Sequence, residues 1–258
     1  MAVSRRLMAA GLALAFSTCA GASALRTAAQ EESFPKFQQQ GERWIGYCVD
    51  LFRALERVTP GLTIVGDQQP LPLKRIILEV ASGQLDPACG LLDTAERRAM
   101  LRYAQPALYE VRYYLAVRKD DRVSVRQWKD VLALGQDNII LVNYGSGAVD
   151  RLKQIPGLQL DTLAGSTENN LLKLLAKWGR FFYYREPGLS QALKATKLDK
   201  RIRVLPNTMD ITTFHLVLNP NLPPEQIRQL EEGLTRLKQD GTLNKLDLQW
   251  NQLTQTRH

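Results

Sequence analysis

The sequence predicts an α/β chain folded as two units of similar size, and three observations carry that expectation. Short β-branched or apolar runs alternate with amphipathic stretches almost from Leu25 onward, the pattern of β-α-β units rather than of a sandwich. The same alternation starts again after Asn138, which implies a second unit. Once a leader is set aside, about 234 of the 258 residues remain, enough for one large domain or for two lobes of about 100–130 residues, each able to bury a core.

The leader comes first. Arg5 and Arg6 precede an apolar run from Leu7 to Phe16, too short to span a bilayer but suited to a signal peptide, and Ala22 and Ala24 offer an A-x-A-like cleavage site before Leu25. Residues 1–24 are therefore read as a signal peptide and the chain as exported to the periplasm. Ser4-Arg5-Arg6-Leu7 leaves twin-arginine export open beside the general route, while Phe16 and Thr18 make Cys19 a poor site for a lipid anchor.

Residues 25–29 read as a strand, followed by a polar loop through Gly41 and an extended return at 45–47. Asp50 opens a helix in which Leu51, Leu55 and Val58 fall at spacings of four and three, and Pro60-Gly61 stops it. Residues 62–65 are a short β-branched strand, 75–82 a helix closed by Gly83, and 85–91 a largely buried strand. In the second unit, 138–142 is a strand, Gly145-Ser146-Gly147 a turn into a helix and 158–163 another strand. Thr167 is placed to cap a helix carrying Leu171, Leu172, Leu174 and Leu175, with a strand at 181–184 and a helix at 190–196 after it. Residues 214–218 return to extended structure. The chain closes on an amphipathic helix with Ile227, Leu230, Leu234 and Leu237 on one face, then Asp240-Gly241-Thr242-Leu243 and Trp250.

The formal charge of +8 becomes +6 without Arg5 and Arg6. Basic residues are interspersed with acids, as in Lys119-Asp120-Asp121-Arg122, and no basic stripe is interleaved with aromatics. The charge therefore reads as a solvated surface with a mild preference for anionic ligands, not as a nucleic-acid interface. His215 and His258 have no Cys or paired carboxylate at ligand spacing, so neither a metal nor another cofactor is expected. Tyr144-Gly145-Ser146-Gly147 is not a nucleophile elbow, because Tyr stands where the first Gly is required. Cys48 and Cys89 remain in an oxidising compartment, as a disulfide or as two buried thiols.

Four blocks together resemble a known family: Gly46-Tyr47-Cys48-Val49-Asp50-Leu51; Ser82-Gly83 through Asp86 to Thr94-x-x-Arg97; Lys177-Trp178-Gly179-Arg180; and the tail from Leu234 to Leu243 with Trp250. Their order and spacing are similar to those of the periplasmic solute-binding proteins, family 3, which serve ABC importers of polar amino acids. The resemblance implies the periplasmic binding protein type 2 fold, two α/β lobes joined by two crossing strands with the ligand clamped between them. Lobe one would be residues 25–109 plus 214–258 and lobe two 114–207, with hinge segments at 110–113 and 208–213. It implies a monomer that binds a small polar carboxylate or amino acid without chemistry and meets a membrane permease. Two alternatives stay open: an accessory protein for a histidine kinase or periplasmic dehydrogenase, and a dehydratase of prephenate-like acids with Glu186 or Glu168 as proton donor.

Residue by residue, Arg97 matches the arginine that grips the ligand carboxylate, a task that needs a bidentate fork; the plain alternative is a solvated residue like Arg98 and Arg102. Gly145 and Ser146 match the turn that faces the same carboxylate from lobe two. Thr94, Cys89 and Gly90 stand at the end of the central strand where ligand contacts lie, although Leu92 replaces the usual hydroxyl. Leu73 occupies the position of an aromatic platform, for which Phe34 and Phe37 offer substitutes. Glu186 aligns with the acid that holds the ligand ammonium only if one residue is deleted; otherwise the ligand need carry no amino group. Cys48, at the start of a helix, and Cys89, at the carboxyl end of a neighbouring strand, are expected to approach and form a disulfide, since helices in such sheets begin near that edge.

Overall fold

The computed structural model describes residues 24–252, so the predicted signal peptide up to residue 23, with Cys19 and the twin-arginine motif, lies outside the described residues. A mixed sheet of eight strands runs through the molecule. Its main path is Gln159–Asp161, Ile139–Leu141, Phe181–Arg185, Tyr109–Arg118, Asp210–Leu218 and Pro87–Leu92, with Ile202–Val204 added beside Tyr109–Arg118 and Arg102–Tyr103 beside Asp210–Leu218. Ile139–Leu141 pairs in parallel with both its neighbours, as β-α-β units require, but the pairings that involve the two long strands are antiparallel. The expectation of parallel units therefore holds within the second half and not at the centre, where the chain returns from a distance of about a hundred residues.

Those two long strands join the halves. They lie side by side only over Tyr109–Tyr113 and Asp210–Phe214. Beyond that stretch Tyr109–Arg118 continues against Phe181–Arg185 and Ile202–Val204, whereas Asp210–Leu218 continues against Pro87–Leu92. The burial follows this division. Tyr109, Val111 and Tyr113 are buried and Glu110 and Arg112 exposed, the alternation of a sheet covered on one face, while Leu115, Ala116 and Val117 are all buried because helices cover both faces there.

In the first half Tyr47–Val58 packs against Pro224–Gln239 and Thr242–Asp247 through Leu51, Phe52 and Leu55. That helix begins at Tyr47 rather than at Asp50. Gly46, at φ +139°, turns the chain from the hairpin Gln38–Gln40/Arg43–Ile45 straight into it, and a Cβ at Gly46 would stand 2.3 Å from the Lys36 carbonyl oxygen. The predicted strand at 25–29 is two short pieces, Ala24–Arg26 beside Thr63–Val65 and Ala29–Gln30 beside Pro70–Leu71. Ser166, not Thr167, caps Thr167–Leu175: its hydroxyl accepts from the Asn169 N–H, which leaves the Thr167 hydroxyl to accept from Asn143 at 2.9 Å.

A disulfide joins Cys48 and Cys89 with their Cα atoms 5.8 Å apart, tying the first turn of Tyr47–Val58 to the buried strand Pro87–Leu92. Among the described residues no helix is long and apolar enough to cross a membrane.

Candidate functional site

A cleft of about 320 Å³ opens between the halves, a size suited to a small ligand. The first half contributes Gln30, Glu31, Glu32, Lys36, Leu73, Gly90 and Phe214 to its lining, and the second half Asn143, Ser146, Tyr184 and Arg185.

Arg97 sits on the short helix Ala95–Arg98, whose Thr94 hydroxyl accepts from the Arg97 N–H at 3.3 Å and so fixes the turn. Its guanidinium donates to the Leu92 carbonyl at 3.4 Å and, across the cleft, to the Gly145 carbonyl at 3.2 Å. Arg97 is only 5 % exposed. Its neighbour Arg98 points to solvent and pairs with Asp93, so two adjacent arginines have opposite environments. Gly147 eases this approach, since a Cβ there would lie 3.1 Å from the Arg97 Nη1 atom and push the guanidinium aside by a few tenths of an ångström.

Gly90, inside the buried strand, adopts φ +75°, opposite the register shift between His215 and Leu216. A Cβ at this position would overlap the Lys36 Cδ atom at 2.3 Å. The missing side chain leaves a channel through which Lys36 reaches the cleft, and its ammonium donates to the Gly90 carbonyl at 3.0 Å and to the Gln30 side-chain oxygen. Burial first, then the charges of Arg185 and Arg97, holds this ammonium well below the ordinary lysine range.

Arg185, at the end of Phe181–Arg185, lies over the Tyr184 ring at 4.8 Å and near the Phe214 ring at 5.8 Å, and the Lys36 ammonium is 5.2 Å from that same Phe214 ring. One guanidinium nitrogen of Arg185 donates to the Ser33 and Phe34 carbonyls of the opposite half at 3.0 and 3.1 Å; its Nε is buried without a partner, as is the Ser146 hydroxyl.

The remaining sequence candidates divide as follows. Leu73, Gly90, Ser146 and Arg97 line the cleft, and Gly145 offers it a carbonyl. Thr94 is the cap beneath Arg97, and Cys89 is in the disulfide behind the strand. Phe37 is buried against Phe52 in the core of the first half, and Phe34 contributes only its carbonyl; the aromatic residues that line the cleft are Tyr113, Tyr144, Tyr184 and Phe214. Glu186 does not reach the cleft: its carboxylate accepts from the Ser190 N–H at 3.1 Å and hydroxyl at 2.8 Å, in a separate depression beside Pro187 and Lys194. Glu168 is exposed at the start of Thr167–Leu175.

Sequence reasoning missed Lys36, Arg185 and Phe214. Lys36 stands between Phe34 and Phe37, the two rings offered as an aromatic platform, and Arg185 ends a run of four aromatics, Phe181 to Tyr184. A charge closing a buried apolar strand was the available signal. Among the described residues no group of His, Cys, Asp and Glu converges at metal-binding range.

Two α/β halves on a shared pair of strands, with a cleft whose two sides meet through an arginine, define a two-lobed solute-binding protein. The chain belongs to the bacterial extracellular solute-binding proteins, family 3, whose profile matches residues 25–253. Comparison with curated proteins gives no match. Several solved structures share the fold. An ancestral arginine-binding protein bound to arginine superimposes with a TM-score of 0.72 at 17% identity, over 88% of this chain and 97% of that one. A putative binding component of an ABC transporter from Wolinella succinogenes, complexed with lysine, gives 0.70 at 20% identity over 88% and 95%. The ancestral amino acid-binding protein AncCDT-1, a precursor of cyclohexadienyl dehydratase, gives 0.69 at 18% identity over 88% and 95%.

Proposed function

We propose that this protein works in the periplasm, closing without covalent chemistry on a small solute that bears a carboxylate or similar anionic group and presenting it to the permease of an ABC importer. The observation that carries the reading is Arg97: a buried guanidinium that lines the cleft and already touches the opposite side through Gly145. A fork of donors in a site that loses water on closure favours a carboxylate strongly. The lobes in this reading are residues 25–109 plus 214–258 and 114–207, swinging about 110–113 and 208–213, where the two long strands pair with each other. Family membership supports the delivery role, and arginine and lysine, the ligands bound in two of the similar structures, each carry a carboxylate.

The placement of Glu186 and Glu168 away from the cleft supports binding rather than dehydration, because a proton donor must reach the bound solute. A thermal-shift panel of amino acids, monocarboxylates, dicarboxylates and inorganic anions tests the function. At least one small anion should raise the melting temperature in a saturable way, and a flat response across the panel would reject it.

A further inference from the structure

We propose that the solute is a small dianion, held between Arg97 on one side and the pair Lys36 and Arg185 on the other, rather than a zwitterionic amino acid. The inference deepens the proposed function and rests on it. Three cationic side chains line one cleft and are each at most 6 % exposed. Among the described residues none of the three is ion-paired with a carboxylate: Arg97 donates to two carbonyls, Lys36 to a carbonyl and an amide oxygen, and Arg185 to two carbonyls, with the neutral phenols of Tyr103 and Tyr184 beside the two arginines and the Arg185 Nε left without a partner. Neutral acceptors solvate these charges without cancelling them. Buried charge left uncompensated is costly, so the arrangement is completed by an anion that enters the cleft.

The geometry also sets where that anion lies. Lys36 and Arg97 are anchored on the carbonyls of Gly90 and Leu92, two residues apart on one strand, so both face the cleft from the first half. Arg185 comes from the opposite half, and its unpartnered Nε is buried within this cleft lining. A ligand with two negative charges fits cations so distributed, either as two carboxylates or as one doubly charged oxyanion. An ammonium group does not, because the acid that would receive it, Glu186, is turned to Ser190. The carboxylates that do reach the cleft, Glu31 and Glu32, are exposed at its mouth, where water and salt screen them far more than the buried cations.

Calorimetric titration of the purified protein with succinate, 2-oxoglutarate, inorganic phosphate, monomethyl succinate, glutamine and arginine tests the inference. At least one dianion should bind ten-fold or more tighter than monomethyl succinate, glutamine and arginine. Preference for succinate or 2-oxoglutarate assigns two separated carboxylates, and preference for phosphate a single oxyanion; both support the proposal. Lys36→Met and Arg185→Gln, checked for folding by their melting curves, should each weaken the preferred dianion at least ten-fold and by at least three-fold more than they weaken monomethyl succinate. Should either variant fail to fold, the selectivity of the unmodified protein still decides. Glutamine or arginine binding as tightly as the best dianion overturns the inference and leaves the solute-binding function standing. No binding by any of the three dianions also overturns it, and a flat thermal-shift panel beside that result removes the function as well.

Discussion

Arg97 and Arg98 are adjacent in sequence and opposite in physics. Arg98 shares its charge with Asp93 at the surface, where solvent screens the ion pair, while Arg97 is buried with only neutral partners. In the proposed function the bound anion supplies the charge partner that Arg97 lacks. Removing one member of such a desolvated pair costs about 2–5 kcal/mol, so Arg97→Ala should weaken binding by roughly 30-fold to several thousand-fold. Arg97→Lys should recover only part of the loss, because an ammonium keeps the charge and not the fork. Arg98→Ala should change affinity less than about three-fold. Equal small effects of the two alanine variants in calorimetry, with the solute found in the panel, would place the anion elsewhere.

Among the elements, the buried strand Pro87–Leu92 governs the site. It carries Cys89, Gly90 and Leu92 in succession: the disulfide behind, the gap for Lys36, and the carbonyl shared by Arg97 and Tyr103. The disulfide closes a loop of 41 residues and thereby holds the start of Tyr47–Val58 against this strand. By the chain-entropy account such a crosslink contributes about 4 kcal/mol, chiefly by restricting the unfolded chain. Replacing both residues, Cys48→Ala with Cys89→Ala, should lower the free energy of urea unfolding by about 2–4 kcal/mol while the m-value rises, since the uncrosslinked chain exposes more surface. A change under about 1 kcal/mol would show that the crosslink adds little to the packing of Cys48 and Cys89 in the core.

At the scale of the molecule, the halves are linked by two paired strands and by few polar contacts across the cleft. Arg97 reaches the Gly145 carbonyl, Lys74 donates to the Tyr144 hydroxyl at 2.9 Å, and Arg185 holds the Ser33 and Phe34 carbonyls. Each contact belongs to one relative placement of the lobes and is exchanged for water when they part. A solute that touches both sides binds the closed state more tightly and shifts the population towards it. The radius of gyration from small-angle scattering should therefore fall on saturation with the solute found in the panel. An unchanged value, with binding confirmed by calorimetry, would mean that the cleft accepts its ligand without closure.

The sequence by itself determined the elements and the family. Periodicity located the helices to within a few residues, Gly83 and Pro60-Gly61 marked their ends, and Thr94-x-x-Arg97 pointed to an arginine that lines the cleft, because each of these signals is local along the chain. The same locality brought Cys48 and Cys89 within reach, since one opens a helix and the other lies near the edge of a neighbouring strand. Only the tertiary structure decided which charged side chains face the cleft. Arg185 and Glu186 are consecutive and equally charged in magnitude, yet one reaches across to Ser33 and Phe34 while the other turns to Ser190. Lys36 enters only because a glycine 54 residues away leaves room for it. Burial of a charge depends on what packs around it from distant parts of the chain, and a pattern read over neighbouring residues holds no record of that.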